Sequence, residues 1–383
     1  MNTMKHLIII FVAIFANSCS SSSTHDSHTI KQDLQPIVAT ILAETGAPAV
    51  SIYVRSDSFA NFSLVMGLAD LNEETPIQNE QPFRIGSLSK SFTAAAVLKL
   101  VERGQIDLDA PITNYLGLVN GYLPLSDVTV RQAMNMSSGL PAYLDIPYLT
   151  GTILPNPEQS YSPEELLQHG FDSSPTLLSI PGDEFSYTNT NYILLGMLIE
   201  EVAGLSYREY LKQEFITPLG LDNTTVALTD EHPDNLVRGY YDYNEDDDYE
   251  DWTEMNMSYV WSAGCLISTA EDIAKWMENL AKGNLFSLER QTDLFEGHTI
   301  VEGVDYTAGI LIDDGFAIGH NGTVIGYHAD AWYNPDLDVT VAVLSNTNAP
   351  LLDDNRDPTR EIVEAVFELI SSSVLGESAK VTH

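Results

Sequence analysis

The residues of this chain best suited to chemistry are Ser87 and Lys90, in the stretch Phe83-Arg-Ile-Gly-Ser-Leu-Ser-Lys-Ser-Phe-Thr. The lysine follows the serine by three residues, where an apolar segment passes into a helical pattern, and residues at that spacing share one face of a helix. A serine hydroxyl is a weak nucleophile until a neighbouring group takes or shifts its proton. The pair therefore predicts acyl transfer, although an ordinary exposed helix start has the same spacing. No other serine in the chain is followed by lysine at the third position.

A second motif, Tyr187-Thr188-Asn189, follows a Pro-Gly turn and precedes an apolar helical period. The helix is expected to be capped by Thr190 or Asn191. From such a loop the tyrosine can supply a phenolic base, and the asparagine an amide that holds a substrate carbonyl. A capped helix start with a packing tyrosine explains the motif equally well.

A third motif, His320-Asn321-Gly322, lies in a segment whose alternation predicts a strand. A glycine in a strand lets a ligand or another backbone come close. The backbone N–H of Thr323 can then join that of Ser87 as an oxyanion hole. A lone histidine is more often structural, so His320 carries weight only beside the other two motifs.

Taken together, the motifs resemble the active site of the serine β-lactamase and penicillin-binding protein superfamily, in its class C β-lactamase-like branch. The chain most resembles the soluble, secreted type of D-alanyl-D-alanine carboxypeptidase, from about residue 36 to about residue 370. Other stretches that fit this pattern are Val130-Arg-Gln-Ala-Met, Ser138-Gly-Leu, Gly196-Met-Leu-Ile-Glu and Ser262-Ala-Gly. The resemblance implies an α/β fold of the β-lactamase/DD-peptidase type, in which an antiparallel sheet flanked by helices carries a mostly helical inserted domain.

Domain boundaries follow from the resemblance and from the predicted elements. The hydrolase domain is expected at 36–372, with 36–106 and 269–372 as its α/β part, 107–268 as its helical part, and 373–383 as a tail. Strands are predicted at Ala49–Val54 and Phe62–Gly67 and around Ile310, Val324 and Val341. Helices are predicted near Val130–Met136, Pro163–His169, Thr190–Val202, Tyr207–Phe215, Thr269–Ala281 and Glu361–Ser371.

The resemblance also implies roles for the catalytic side chains. Ser87 would be the acylated nucleophile, Lys90 would tune the proton network, and Tyr187 would act as general base and relay the proton to the leaving group. Water or another acceptor would then attack the acyl-enzyme.

Substrate binding is assigned in the same way. Asn189 would hold the substrate amide, His320 stands where β-lactamases of this class have lysine, and Gly322 keeps the strand open. The backbone of Thr323 lies beside the substrate. Tyr259 or Trp261, just before Ser262-Ala-Gly, would form a wall of the pocket, although core packing explains both rings as well.

The substrate class is left open by one departure from the carboxypeptidase pattern. No lysine or arginine occurs from Gln291 to Asn355, whereas a substrate with a free carboxylate normally requires a bidentate arginine. Asp313 and Asp314 would repel such a substrate if they face the cleft. A carboxypeptidase-like activity on cell-wall-type peptides remains the first expectation, and an esterase or a D-amino-acid amidase or peptidase is the alternative. A β-lactamase, which would also need a carboxylate anchor, and a non-catalytic penicillin-binding module come after these.

Composition excludes several partners. The chain has 383 residues, 17 basic and 55 acidic, for a formal net charge of −38, and nucleic acid binding requires basic patches. No metal-protease helix or Gly-rich phosphate loop occurs, so no cofactor and no metal are expected.

The acidic stretch Asn244–Trp252 lacks the spacing of a calcium loop and is interpreted as a solvated loop. The expected partner is a small peptide, amide or ester, and the expected state is a monomer.

The N-terminus is predicted to carry an export signal. An apolar run at Leu7–Phe15 is too short to span a bilayer and is typical of a signal peptide, predicted at 1–19. Cys19 would be lipidated, with 20–35 as a serine-rich tether, so that a lipid anchor would give the only membrane contact. Plain secretion is the alternative. The protein is thus expected in the cell envelope or periplasm, or outside the cell, and Cys265 is expected to be a buried small hydrophobic residue.

Overall fold

The computed structural model describes residues 27–241, 249–347 and 356–378. The helices are α1 Ser27–Thr45, α2 Ser89–Glu102, α3 Thr113–Leu116, α4 Val130–Met134, α5 Ile146–Tyr148, α6 Pro163–Ser173, α7 Asn189–Ala203, α8 Tyr207–Leu211, α9 Thr217–Leu219, α10 Ala270–Ala281, α11 Leu288–Phe295 and α12 Pro358–Ser378. The strands are β1 Ala49–Ser56, β2 Phe62–Asp70, β3 Thr75–Pro76, β4 Phe83–Arg84, β5 Thr225–Val226, β6 Tyr240–Tyr241, β7 Glu250–Asp251, β8 Leu266–Ser268, β9 His298–Val301, β10 Val304–Tyr306, β11 Leu311–Asp313, β12 Ala317–Val324, β13 Tyr327–Asn334 and β14 Val339–Ser345.

One large antiparallel sheet organises the described residues. Its strand order is β3-β2-β1-β14-β13-β12-β11-β10-β9, so the first two long strands of the chain join the last three at the centre of the sheet. β1 pairs with β14 from Val50 opposite Ser345 to Ser56 opposite Val339. The predicted strands at Ala49–Val54 and Phe62–Gly67 are confirmed, and both extend a few residues further.

Both faces of the sheet are covered, which explains its continuous apolar strands. In β14, Val341 and Val343 pack toward α1 and α12, whereas Ala342 and Leu344 pack into the main core on the other face. Such alternation follows from the two-residue period of a strand. The main core runs without a break from the sheet into the helical residues between 107 and 268.

Helical structure begins earlier in the chain than predicted. Helix α1 begins at Ser27, within the segment 20–35 that was expected to be a tether. Ile30, Leu34 and Val38 are buried in the core that α1 forms with α12, at a spacing that places them on one helix face. At the other end α12 runs to Ser378, so helix occupies the first part of the predicted tail.

The predicted helices of the middle section are present with altered ends. The helix that follows Asn189 is capped by Thr188, whose hydroxyl accepts the N–H of Thr190, rather than by Thr190 or Asn191. The segment Tyr207–Phe215 is α-helical only to Leu211 and continues as a π-helical turn. The predicted acidic loop lies largely outside the described residues. Within the three described ranges, no helix has both the length and the apolarity of a bilayer span.

Three segments position the three motifs. A single 3-10 turn, Gly86–Leu88, carries Ser87 directly into α2. The loop before α7 carries Tyr187, and the middle of β12 carries His320. α2 packs against α7, and the 3-10 turn packs against β12. The packing therefore brings together residues that are up to 236 positions apart in the chain (from 87 to 323).

Candidate active site

Lys90 and Ser87 meet as their spacing predicted. The Lys90 Nζ donates to Ser87 Oγ at 2.9 Å and to the backbone carbonyl of Ala263, also at 2.9 Å. The lysine side chain has no solvent exposure. Both of these acceptors are neutral, so neither compensates a charge on the amine.

Burial lowers the pKa of Lys90 well below its usual value. An ammonium ion loses its hydration in such a site, which favours the neutral amine. The rings of Tyr187 and Tyr192 lie with their centroids 5.0 and 5.7 Å from the Lys90 Nζ and supply only weak cation–π attraction. Lys90 is therefore poised to accept a proton from Ser87.

Tyr187 also contacts Ser87. The residue is 43% exposed, and its hydroxyl hydrogen-bonds with Ser87. Burial of the hydroxyl raises the pKa of Tyr187 above its usual value, and the Ser87 hydrogen bond only partly offsets this. The phenol is therefore held in its protonated form. This environment favours Lys90 over Tyr187 as the acceptor of the serine proton and leaves Tyr187 as a proton donor.

His320 lies behind Tyr187 and is neutral. Its Nδ1 contacts the backbone carbonyl of Asn321, and its Nε2 lies 3.3 Å from the hydroxyl of Tyr306. Burial lowers the pKa of His320 to about 4, and a positive charge on Lys90 would act in the same direction. His320 therefore supplies no positive charge at neutral pH.

Strand β12 and the nucleophile turn approach each other so closely that both need glycine. A Cβ on Gly322 would lie 2.0 Å from the carbonyl oxygen of Ile85 and 2.8 Å from the backbone nitrogen of Ser87. A Cβ on Gly86, where φ is +51°, would lie 2.6 Å from the backbone nitrogen of Thr323. Contacts this short do not occur in folded proteins, so only glycine allows the approach. The turn that carries Ser87 and the strand that carries Thr323 therefore lie in direct contact.

A pocket of about 140 Å³ opens beside Ser87. The lining residues with polar side chains are Ser87, Asn189, Tyr259 and Thr323, and the others are Leu144, Leu149, Val260, Ala263, Gly264, Val324 and Ile325. The side-chain oxygen of Asn189 is buried and has no hydrogen-bond partner among the described residues, so it is available to a ligand.

The pocket settles several predictions about its walls. Of the two aromatic candidates Tyr259 lines the pocket, whereas Trp261 is buried in the core. Asp313 and Asp314 are not among the lining residues, so the expected repulsion by these two carboxylates does not arise from the wall itself. No lining residue in the described ranges carries a charged side chain.

Sequence reasoning missed several contributors to the site. Tyr306 from β10 contacts His320, and its ring packs edge-on against Tyr187 with centroids 5.8 Å apart. Leu144 and Leu149 form part of the apolar wall. No local pattern marks these residues, because they reach the site only through folding. Cys265 is buried as predicted, and Cys19 lies outside the described residues.

The fold and the three motifs are those of the β-lactamase family. The family model described as Beta-lactamase matches residues 33–365, and the chain belongs to that family, which includes penicillin-binding proteins and D-amino acid amidases. The expected fold class and the expected superfamily are thereby confirmed.

Curated relatives share about a quarter of their residues with this chain. Penicillin-binding protein 4* of Bacillus subtilis is 25% identical over 296 residues, covering 73% of this chain and 64% of its own length. Protein flp of Staphylococcus aureus (strain MW2) is 25% identical over 336 residues, covering 85% of this chain and 64% of its own. The chain thus spans just under two thirds of each relative.

Solved structures cover the chain more fully. A D-stereospecific amidohydrolase from Streptomyces sp. superposes with a TM-score of 0.74 at 25% identity, over 83% of this chain and 94% of its own. A D-amino acid amidase from Ochrobactrum anthropi SV3 shares the fold, with a TM-score of 0.77 at 24% identity over 90% of this chain and 99% of its own. An octameric penicillin-binding protein homologue from Pyrococcus abyssi has a TM-score of 0.76 at 27% identity over 90% of this chain and 77% of its own. Because this homologue is octameric, the expectation of a monomer stays a prediction.

Proposed function

We propose that this protein hydrolyses amide or ester bonds of apolar acyl compounds that lack a carboxylate, through an acyl-enzyme on Ser87, with D-amino-acid amides as the favoured substrate class. The observation that carries the proposal is the 2.9 Å hydrogen bond between the buried amine of Lys90 and the hydroxyl of Ser87. A nucleophile beside its own base is the arrangement that covalent catalysis requires.

Acylation begins as Ser87 Oγ attacks the substrate carbonyl and its proton passes to the neutral amine of Lys90. The new C–O bond forms as the carbonyl π electrons move to oxygen, and the backbone N–H groups of Ser87 and Thr323 stabilise that oxyanion. As the bond to the leaving group breaks, the hydroxyl of Tyr187 donates a proton to the departing nitrogen or oxygen, and the Lys90 ammonium replaces that proton.

Deacylation follows by the same groups. A water molecule attacks the acyl carbon while Lys90 takes its proton, and collapse of the second tetrahedral intermediate returns a proton to Ser87 Oγ. The products are the carboxylic acid and the amine or alcohol, and the enzyme is restored.

The pocket argues for a substrate without a carboxylate. Most of its lining residues are apolar, and none of those in the described ranges carries a charged side chain. A pocket of this kind favours burial of apolar surface, with a few polar groups fixing orientation. The free oxygen of Asn189 can accept an N–H from the substrate, which an amide or an amino acid derivative provides. The 25% identity to a D-stereospecific amidohydrolase adds support for the D configuration.

A carboxypeptidase activity is the second candidate. The sequence alone had placed it first, ahead of an esterase or an amidase. The relationship to penicillin-binding protein 4* favours it. Against it stand the uncharged pocket and the lowered pKa of His320, which leave a substrate carboxylate without a cationic partner at the wall. We therefore rank the amide substrates first.

The test is hydrolysis of three matched substrates by the purified protein: D-phenylalanine amide, L-phenylalanine amide and an acylated D-alanyl-D-alanine. We expect the D-amide to be hydrolysed with the highest kcat/KM, and Ser87→Ala to abolish that activity. Ser126→Ala, at an exposed serine of the helical part, is the control. Preferential cleavage of the dipeptide would favour the carboxypeptidase, and turnover that survives in Ser87→Ala would refute the acyl-enzyme.

Benzylpenicillin provides a separate test of the nucleophile. A lasting mass increase that maps to Ser87 would place the protein with the cell-wall D-peptidases. An unchanged mass with intact drug would exclude both penicillin binding and β-lactamase turnover.

Export and lipidation at Cys19 are a further part of the proposal. We expect the protein in the membrane fraction of the producing cell and Cys19→Ala in a soluble fraction. Equal distribution of the two proteins would argue for plain secretion or against export.

A further inference from the structure

Three side chains of the types that bind metal ions converge on the face of the large sheet that α1 and α12 cover. His328 and Asp330 lie two residues apart on one side of β13, and Asp357 stands directly before α12. The His328 Nε2 lies 3.3 Å from Asp330 Oδ2 and 3.0 Å from Asp357 Oδ2, and each residue offers a ligand atom within 4.8 Å of the other two. The ligand atoms of a tetrahedral zinc ion, with bonds of about 2.1 Å, are about 3.4 Å apart. The spacing therefore suits a bound ion.

Hydrogen bonding does not account for the imidazole in this cluster. The Nε2 of His328 is a buried atom without a hydrogen-bond partner among the described residues. Both carboxylate oxygens are near enough to accept, so it is their direction from the ring that does not suit an N–H on Nε2. A metal ion lies along the lone pair of a ring nitrogen, and its other ligands lie to the side of that line. On the far side of the ring, Nδ1 lies 2.7 Å from the hydroxyl oxygen of Thr323, and a proton donated there leaves the lone pair on Nε2.

Other groups hold both carboxylates with one oxygen turned toward the imidazole. The Trp332 Nε1 donates to Asp330 Oδ1 at 2.6 Å, and Asp357 Oδ1 accepts the backbone N–H groups of Thr359 and Arg360 at 3.0 and 3.1 Å. The Thr359 Oγ1 lies 2.6 Å from Asp330 Oδ2 and 2.7 Å from Asp357 Oδ1, and so connects the two acids. Outer partners of this kind orient the ligands of metal sites.

The charges of the cluster call for a cation. Asp330 is only 1% exposed, and a buried charge is costly unless it is paired. Within the described ranges, no lysine or arginine pairs with Asp330 or Asp357, and the imidazole is the one basic group beside them. A divalent cation bound by a neutral imidazole would balance both carboxylates.

A buried hydroxyl without a partner faces the same place. Ser345 of β14 stands directly opposite His328, and cross-strand partners project to the same face of a sheet. Ser345 has no solvent exposure, and its Oγ has no hydrogen-bond partner in the described part of the chain. Burial of an unsatisfied hydroxyl is costly. An ion in the cluster, or a water molecule that the ion holds, would give this hydroxyl the partner that the protein does not.

We propose that His328, Asp330 and Asp357 bind one divalent metal ion of the zinc type, which fastens β13 to the start of α12. One imidazole and two carboxylates are ligands that Zn²⁺ accepts, whereas Ca²⁺ takes about six to eight oxygen ligands. The motifs of the sequence predicted no metal, because the third ligand is far along the chain from the other two and only the fold brings it to them.

The site is separate from the proposed acyl transfer. Gly322 of β12 packs against the turn that carries Ser87, and the side chain of the next residue, Thr323, projects to the other face of the sheet, where it meets His328. The ion is therefore expected to stabilise the attachment of α12 and to take no part in the reaction.

The first test uses the full chain, freed of metal with a chelator, in buffer with excess Mg²⁺ to occupy weak carboxylate sites. Titration with ZnCl₂ is expected to show one tight site per chain. Free Zn²⁺ at about 100 times Kd should raise the melting temperature by about 4 °C, and a chelator should reverse the rise. A melting temperature that Zn²⁺ leaves unchanged or lowers would overturn the proposal and leave the cluster as an ion pair of His328 with two carboxylates.

Asp357→Asn tests the ligand set. Asparagine can still cap α12 but removes a charged ligand, and the side chain of Asp357 is 36% exposed, so the variant is expected to fold. Its affinity for Zn²⁺ should fall by about 100-fold. Asp314→Asn, at an exposed turn, is the matched control and should bind as wild type does. An equal loss in both variants, or a loss in neither, would show that the ion binds elsewhere on this acidic chain.

Diffraction data collected at the zinc absorption edge locate the ion in the wild-type protein without any variant. Anomalous density is expected about 2.1 Å from the Nε2 of His328 and from one oxygen of each aspartate. Density elsewhere, or none in crystals grown with Zn²⁺, would refute the site. Neither result depends on whether Ser87 is acylated, so failure of the metal site and failure of the proposed function are distinguished.

Discussion

Lys90 and His320 are the two basic side chains beside Tyr187, and a charge on Lys90 disfavours a charge on His320. The Lys90 Nζ lies 5.0 Å from the centroid of the Tyr187 ring, and the centroid of the His320 ring lies 6.4 Å from it. Both residues are buried, and burial lowers the pKa of each. The site therefore contains neutral bases and protonated phenols. Such groups favour proton transfer to Lys90 over electrostatic attraction of a charged substrate.

Replacement of Lys90 tests its role as the proton acceptor. Lys90→Met removes the base, and Lys90→Arg places a permanently charged group in the same site, so both are expected to lower kcat/KM by about 10³-fold. Wild-type kcat/KM should fall as the pH drops through the lowered pKa of Lys90, because the ammonium cannot accept the serine proton. Stopped-flow acylation across the pH range measures this. Substantial activity in Lys90→Arg would show that Lys90 acts by its charge.

Tyr187→Phe tests whether Tyr187 protonates the leaving group while Lys90 accepts the proton of Ser87. Because the proposed task of Tyr187 is protonation of the leaving group, we expect a loss of about 10²-fold on an amide and a much smaller loss on a p-nitrophenyl ester, whose leaving group needs no proton. Steady-state kinetics on the two substrates give the comparison. An equal loss on both would indicate that Tyr187 activates Ser87 itself.

Gly322→Ala tests the close approach of β12 to the nucleophile. The new methyl group would meet the carbonyl oxygen of Ile85 at 2.0 Å, so the strand must move away from the turn and widen the oxyanion hole. Loss of one such donor costs about 10²-fold in kcat. Kinetics and thermal denaturation should show this loss in a protein that still folds. Gly151→Ala, where a Cβ meets nothing within 4 Å, is the matched control and should keep full activity.

The buried neutral state of His320 predicts how stability depends on pH. The unfolded chain binds a proton on this residue near pH 6.5, but the folded protein does so only near pH 4. Between these values the unfolded state holds more protons, so stability falls as the pH falls, by about 3 kcal/mol for this residue. The free energy of unfolding, from urea titrations at pH 7, 5 and 4, should therefore fall less steeply in His320→Gln than in wild type. His298→Gln, in the edge strand β9, is the control, and its free energy of unfolding should change with pH as in wild type.

Local patterns in the sequence were informative where structure is local. The contact of Ser87 with Lys90 follows from helical spacing alone, and the strands after Ala49 and Phe62 follow from alternation. Helix α1 was not predicted because Pro36 and the polar residues around it obscured the helical spacing of Ile30 and Leu34. The cap of α7 was displaced because any of several consecutive polar residues can cap a helix, and only the backbone conformation of Thr188 selects it.

The sequence by itself determined the pairing of Ser87 with Lys90, the three motifs and the superfamily, because these depend on residue types at short, fixed spacings. Only the tertiary structure decided the protonation of the site, since the pKa values of Lys90, Tyr187 and His320 depend on burial by distant segments. It also decided the apolar character of the pocket, because the pocket walls come from separate elements that pack together. A short motif fixes which groups can react, whereas the solvation and orientation of those groups are properties of the folded chain.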